Sequence, residues 1–184
     1  ALAAKAYDLE LVAAPTTASL RCDVEALVAA MTPRTKLVVL ANPNNPTGSH
    51  LTRAELERVI AALPARAFLV IDEAYHEYAL GAGPEVDYAQ AMRLRADAPR
   101  MIILRTFSKL YGLAGLRVGY GIGAARVIDY VDRLRRAFNV GALAHIAATA
   151  ALDDVEHARR AVEVAQTSIA RMRSELAGPG LTVY

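Results

Sequence analysis

Apolar residues in this chain recur in two rhythms. Short runs rich in Val, Ile and Leu at residues 9–13, 36–40, 67–71, 101–104 and 116–121 have the length and composition of strands. Between them lie longer stretches in which apolar positions return every three or four residues, at 23–31, from 52 to about 63, and more weakly at 87–95. Strands separated by helices predict a mainly parallel sheet flanked by helices. Thr52-Arg53-Ala54-Glu55 has the form of a capping box, and Pro64 stops the helix it opens. Residues 81–84 form a loop. From residue 124 the pattern is almost wholly helical, at 124–138, 142–152 and 154–176, until Gly178-Pro179-Gly180 ends the last helix. Residues 181–184 look like the start of another strand. There is no internal repeat and no low-complexity tract.

A length of 184 residues fits one domain plus a fragment of a second. The division expected is 1–152 for the central part of a large domain and 153–184 for a long helix leading into a small C-terminal one. The start at Ala1, without Met and in what looks like mid-helix, suggests a longer protein. The 21 basic and 19 acidic residues leave a net charge of +2 and are scattered, so charge suggests neither nucleic acid nor a membrane surface as partner. A hydrophobic fraction of 54% is interrupted by charges every few residues, too often for a bilayer span. One cysteine, Cys22, excludes an internal disulfide, and no Cys/His cluster has metal-site spacing, which together fit a reducing, cytoplasmic setting.

The chemistry gathers in three loops that leave successive strands at their C-terminal ends, where open α/β sheets bind ligands. The first is Asn42-Pro43-Asn44-Asn45-Pro46-Thr47-Gly48, whose prolines and glycine fix the backbone around amide side chains. The second is Asp72-Glu73-Ala74-Tyr75, with an acid at the end of an apolar strand that calls for a cationic partner. The third runs from Thr106-Phe107-Ser108-Lys109 through Gly112-Leu113-Ala114-Gly115-Leu116-Arg117. Taken singly, each has a plain alternative: a turn, a helix cap or salt bridge, a solvated lysine. Together they supply what a pyridine aldehyde phosphate requires. An amine binds the aldehyde, a carboxylate keeps the ring nitrogen protonated, an amide and a phenol bond the ring oxygen, and hydroxyls with an arginine hold the phosphate.

These motifs, in this order and spacing, resemble the fold-type I pyridoxal-5′-phosphate (PLP) aminotransferases, and among them the histidinol-phosphate aminotransferase family, across essentially the whole chain. The resemblance implies an α/β, three-layer large domain of that fold, truncated here. It implies that Lys109 binds PLP covalently and moves a proton between the substrate α-carbon and the cofactor. Asp72 would pair with the ring nitrogen, Asn45 and Tyr75 would bond the ring oxygen, and Thr106, Ser108 and Arg117 would contact the phosphate. The family's glycine-containing phosphate loop, its ring-stacking aromatic residue and its substrate-carboxylate arginine are not in this sequence. A homodimer of the full-length protein is also implied.

Amino transfer between glutamate/2-oxoglutarate and imidazole-acetol phosphate/histidinol phosphate is the expected activity, with small-molecule donor and acceptor as partners. The alternatives are an aromatic amino acid aminotransferase, a lyase like the threonine-phosphate decarboxylases, and a non-catalytic PLP-sensing regulator. His76 beside Tyr75 reads as a packing or surface residue. His50, His145 and His157 have no partner visible in sequence, and Cys22 lies on a predicted loop far from the motifs. The resemblance puts Arg135, Arg136 and Asn139 near a helix end that could face the active site, a solvated helical face explains the arginines just as well, and Tyr111 stays open.

Overall fold

The computed structural model describes residues 6–176. Four strands form one sheet in the order β1 (Leu37–Ala41), β2 (Phe68–Asp72), β3 (Met101–Thr106) and β4 (Gly119–Gly123). β1, β2 and β3 are parallel, and β4 closes the sheet antiparallel to β3. The register aligns Ala41 with Asp72 and Asp72 with Leu104, so the loops after β1, β2 and β3 leave from one end of the sheet.

The connections are helical: α1 (Val24–Ala30) before β1, α2 (Arg53–Ala62) between β1 and β2, and α3 (His76–Gly81) and α4 (Ala91–Leu94) between β2 and β3. The capping box forms as expected, Thr52 accepting from the Glu55 amide and Glu55 accepting from the Thr52 amide. Val24, Leu56, Val59, Ala91 and Leu94 pack on one face of the sheet, against Val38, Leu40, Leu69, Ile71, Met101 and Ile103. This is the alternation a pleated strand imposes on its side chains. On the opposite face Leu37, Val39 and Leu104 are exposed among the described residues. α5 (Ala125–Arg133) reaches that face at the β4 edge: Gly123 pairs with Ile102 and its open side meets Ile128.

α6 (Ala142–Asp153) packs Ala144 and Ala148 on Phe107 and Val118, a second apolar cluster beneath the Lys109 loop. α7 (Val155–Leu176) follows at once, its first turn capped by Asp154, which accepts from the His157 amide at 2.9 Å. No described helix is long and apolar enough to cross a membrane.

Four sequence expectations change. Residues 9–13 form no strand, and Leu9, Leu11 and Val12 are exposed. An apolar run becomes a strand only when a neighbour takes its backbone bonds, and none of the described strands does so. The helix at 87–95 contracts to α4 and a 3-10 turn, Arg95–Asp97, because the backbone before it is engaged elsewhere: the Ala89 amide donates to Leu51 and its carbonyl accepts from Asn42. The strand expected at 116–121 begins three residues later, at Gly119. The helix at 124–138 ends at Arg133. The helix stop at 178–180 and the strand at 181–184 lie outside the described residues.

Candidate functional site

The three loops converge. The first turns away from the sheet with cis peptide bonds before Pro43 and Pro46. Its start is pinned by Asn42, which donates to the Ala89 carbonyl at 3.2 Å and accepts from the Leu51 amide at 2.8 Å. At its far end Asn45 Nδ2 donates to the Tyr75 hydroxyl at 2.9 Å, linking the first loop to the second. The Lys109 ammonium lies 5.2 Å from the centroid of the Tyr75 ring, which links the third. Asn45, Tyr75 and Lys109, 64 positions apart in sequence from first to last, thus share one surface.

Asp72 is exposed at the end of β2, its Oδ1 accepting from the Ala74 amide at 3.0 Å. The cationic partner expected for this acid belongs instead to its neighbour. Glu73 is fully buried, and Arg105 reaches its Oε2 with Nη2 at 2.7 Å and Nε at 2.9 Å. Side chains alternate across a strand, so with Leu69 and Ile71 inside, Asp72 points out and Glu73 points in.

The third loop folds tightly around Lys109. Thr106 Oγ1 accepts from the Ser108 amide at 3.0 Å, Gly112 donates to the Lys109 carbonyl at 3.0 Å, and Leu113 donates to that of Phe107 at 2.9 Å. Phe107 and Leu110 are buried, so the exposed Lys109 between them is carried by an anchored segment. Arg117 ends the short turn Ala114–Leu116 with φ 53° and ψ 50°, a left-handed conformation that costs an L-residue other than glycine about 1–2 kcal/mol. Its exposed guanidinium donates to the Ala114 carbonyl at 2.8 Å. Strain of this kind clusters at ligand-binding positions.

Sequence reasoning set His76 aside, but the structure buries it beside the loops. His76 Nδ1 lies 3.0 Å from the Tyr88 hydroxyl and 3.4 Å from Glu73 Oε2. Burial, and then the Arg105 charge, pushes its pKa from 6.5 down to about 4. Burial also raises the Glu73 carboxyl, against the opposing pull of Arg105 and the Ala91 amide. The Tyr88 hydroxyl is raised by burial and by the nearby Glu73. The strand parity that sends Glu73 inward was readable from the sequence, and His76 follows it by three, close to one helical turn.

A separate cleft of about 520 Å³ opens between α3 and α7, lined by residues such as Leu80, Leu110, Val155 and Val162. It does not include Lys109, Asp72 or Asn45. Among the described residues no cluster of His, Cys, Asp or Glu is arranged to hold a metal.

The chain is similar to known proteins throughout. It is 45% identical over 159 residues to a histidinol-phosphate aminotransferase of Nitrosococcus oceani, covering 86% of this chain and 42% of that protein. The crystal structure of histidinol-phosphate aminotransferase from Sinorhizobium meliloti, in complex with pyridoxal-5′-phosphate, shares 34% identity and a TM-score of 0.78 over 94% of this chain and 45% of that one. A histidinol-phosphate aminotransferase structure from Clostridium acetobutylicum reaches a TM-score of 0.85 at 19% identity, over all of this chain and 55% of that one, a likeness of fold alone. The chain therefore spans about half the length of the relatives it matches or less. The model of the family Aminotransferase class I and II matches residues 2–183, and the chain belongs to that family.

Proposed function

We propose that the full-length protein is a PLP-dependent aminotransferase that exchanges an amino group between glutamate/2-oxoglutarate and histidinol phosphate/imidazole-acetol phosphate. The observation that carries the reading is the placement of the Lys109 amine over the Tyr75 ring, with the Tyr75 hydroxyl held by Asn45. The donor set fits the cofactor: an exposed amine on a rigid loop, an outward carboxylate at a strand end, a paired phenol and amide, two hydroxyls, and a strained arginine. When bound, PLP supplies an electron-poor ring that takes up charge from the substrate α-carbon.

The chain's own residues do the remaining work. Lys109 anchors the cofactor through its amine and carries the proton that moves at the substrate α-carbon. Asp72 would pair with the ring nitrogen, where an anion favours the protonated form. Asn45 and Tyr75 would hold the ring oxygen, and Thr106, Ser108 and Arg117 would hold the phosphate. Histidinol phosphate as a substrate is supported by the 45% identity to the histidinol-phosphate aminotransferase of Nitrosococcus oceani.

The division into 1–152 and 153–184 belongs to the same reading, supported by the break between α6 and α7 at Asp154. So does a homodimer, supported by the exposed apolar side chains Leu134, Phe138, Leu143 and Ile146. A reducing, cytoplasmic setting is supported by the single Cys22.

The test is reconstitution of the full-length protein with PLP, followed by its absorbance spectrum and by amino transfer from glutamate to imidazole-acetol phosphate, with phenylpyruvate assayed beside it. Lys109→Ala is expected to keep the fold and lose both the lysine-dependent absorbance band and turnover. Unchanged turnover in that variant would refute the reading.

A further inference from the structure

Beneath the proposed cofactor surface runs a buried polar chain that the chemistry above does not use. Glu73 Oε2 receives Arg105, and its Oε1 receives the Ala91 amide at 3.3 Å. The Tyr88 hydroxyl donates to the Asn42 carbonyl at 3.2 Å, and His76 Nδ1 lies within reach of both that hydroxyl and Glu73. The Tyr88 hydroxyl is also hydrogen-bonded to the Glu73 carboxylate, so imidazole, phenol and carboxylate form one connected cluster. Among the described residues no buried side-chain nitrogen or oxygen lacks a partner.

The members of this chain sit at each of the three strand ends that bear the candidate site. Asn42 follows β1 and opens the loop that carries Asn45. Glu73 follows β2, next to Asp72 and two residues before Tyr75. Arg105 is the penultimate residue of β3, four residues before Lys109. Backbone bonds tie the same points: the Asn42 amide donates to Asp72 at 2.9 Å and the Glu73 amide to Leu104 at 2.8 Å. A buried ion pair is a poor source of stability, since the cost of removing two charges from water roughly cancels their attraction. What it supplies is geometry, because a carboxylate and a guanidinium meet in few orientations whereas apolar side chains meet in many.

We propose that Glu73 is a positioning residue: by holding Arg105, His76 and the Ala91 amide at once, it fixes the Asp72–Tyr75 turn relative to the Lys109 loop. The proposal rests on the PLP reading and adds to it a group that touches neither cofactor nor substrate.

The test uses the full-length, PLP-loaded protein and follows the Lys109-dependent absorbance band as pH is varied. The variants are Glu73→Gln, the double apolar replacement Glu73→Met with Arg105→Met, and Tyr88→Phe, which cuts the hydroxyl's links to Asn42, His76 and Glu73 and leaves the Glu73–Arg105 ion pair. Glu73→Gln and the double variant are expected to move the midpoint of the band by about 0.5 or more. They are also expected to weaken PLP binding and lower kcat, each by about tenfold, with KM changed less than about twofold. Melting of the double variant stays near wild type, so that positioning and stability separate. Tyr88→Phe moves the midpoint in the same direction by a smaller amount. A folded Glu73→Gln or double variant with unchanged midpoint and PLP affinity would overturn the proposal, and if neither folds, an unchanged Tyr88→Phe does so. Wild-type protein without a Lys109-dependent band would overturn the aminotransferase reading and this proposal with it, whereas a band that ignores all three changes overturns this proposal alone.

Discussion

Val162 of α7 fills the space in front of Gly81 at the end of α3, so that a β-carbon on Gly81 would collide with the valine's γ-carbon. Gln166 Nε2 donates to the Gly81 carbonyl, and His157 Nε2 donates to that of Leu110 at 3.1 Å. The first three turns of α7 are thereby seated on the helix that follows Tyr75 and on the loop that holds Lys109. Valine is stiff at χ1 and cannot swing aside without moving the helix. Gly81→Ala is expected to lower stability by about 1–3 kcal/mol, read as a fall in melting temperature. Adding Val162→Ala should recover most of the loss, because the two changes share one contact.

Thr52 closes the N-terminus of α2, and Glu55, the reciprocal member of the box, also binds Arg21 through both carboxylate oxygens at 2.9 and 3.1 Å. Thr52→Ala should cost about 1 kcal/mol in denaturant unfolding, the ordinary value of a lost cap. Glu55→Ala should cost more than Thr52→Ala, because it also releases Arg21, in the segment before α1, from the start of α2. Equal costs would show that the tie to Arg21 contributes nothing.

What the sequence made legible follows a physical line. β1, β2 and β3 could be placed because each is a compact apolar run between turn-forming residues, and α2, α6 and α7 because their apolar positions repeat at helical spacing over ten residues or more. Residues 9–13 and 87–95 misled because local pattern does not say where the backbone finds its partners. The Ala89 amide and carbonyl are taken by Leu51 and Asn42, distant in sequence. In the candidate site, Lys109, Asp72 and Asn45 were legible as side chains in strand-end loops, a property of order along the chain. Glu73 takes the inward face by strand parity, which the end of an apolar run does not by itself reveal, and His76, read from sequence as a packing or surface residue, is buried in the packing beside it.

His76 should make stability depend on pH. Its folded-state pKa of about 4 lies below the ordinary 6.5, so the unfolded chain binds the proton more readily. The neutral ring's contribution is complete above 6.5 and is lost as pH falls from there toward 4, by about 3 kcal/mol in all. Glu73 acts with the opposite sign, since burial raises its carboxyl and the folded state then holds that proton more readily than the unfolded one. A comparison of variants therefore isolates the histidine better than the slope of the wild type. His76→Asn should flatten the fall in melting temperature between pH 7 and pH 5 relative to wild type. Parallel curves would mean that His76 does not take up a proton on unfolding in this window.

Arg117 sets backbone against side chain. Its left-handed φ of 53° is one that glycine adopts freely, so Arg117→Gly removes strain of about 1 kcal/mol, while Arg117→Ala keeps the strain and loses the same guanidinium. The hydrogen bond to the Ala114 carbonyl disappears in both. The glycine variant is therefore expected to be the more stable of the two by about 1 kcal/mol in denaturant unfolding, offset in part by the freedom glycine gains when unfolded. If the guanidinium holds the cofactor phosphate as proposed, both variants should bind PLP at least about tenfold more weakly, by the same amount, in a fluorescence titration of the full-length protein. A glycine variant that matched wild type in PLP affinity would show that the guanidinium does not hold the phosphate. An alanine variant as stable as the glycine one would show that the left-handed turn is not strained.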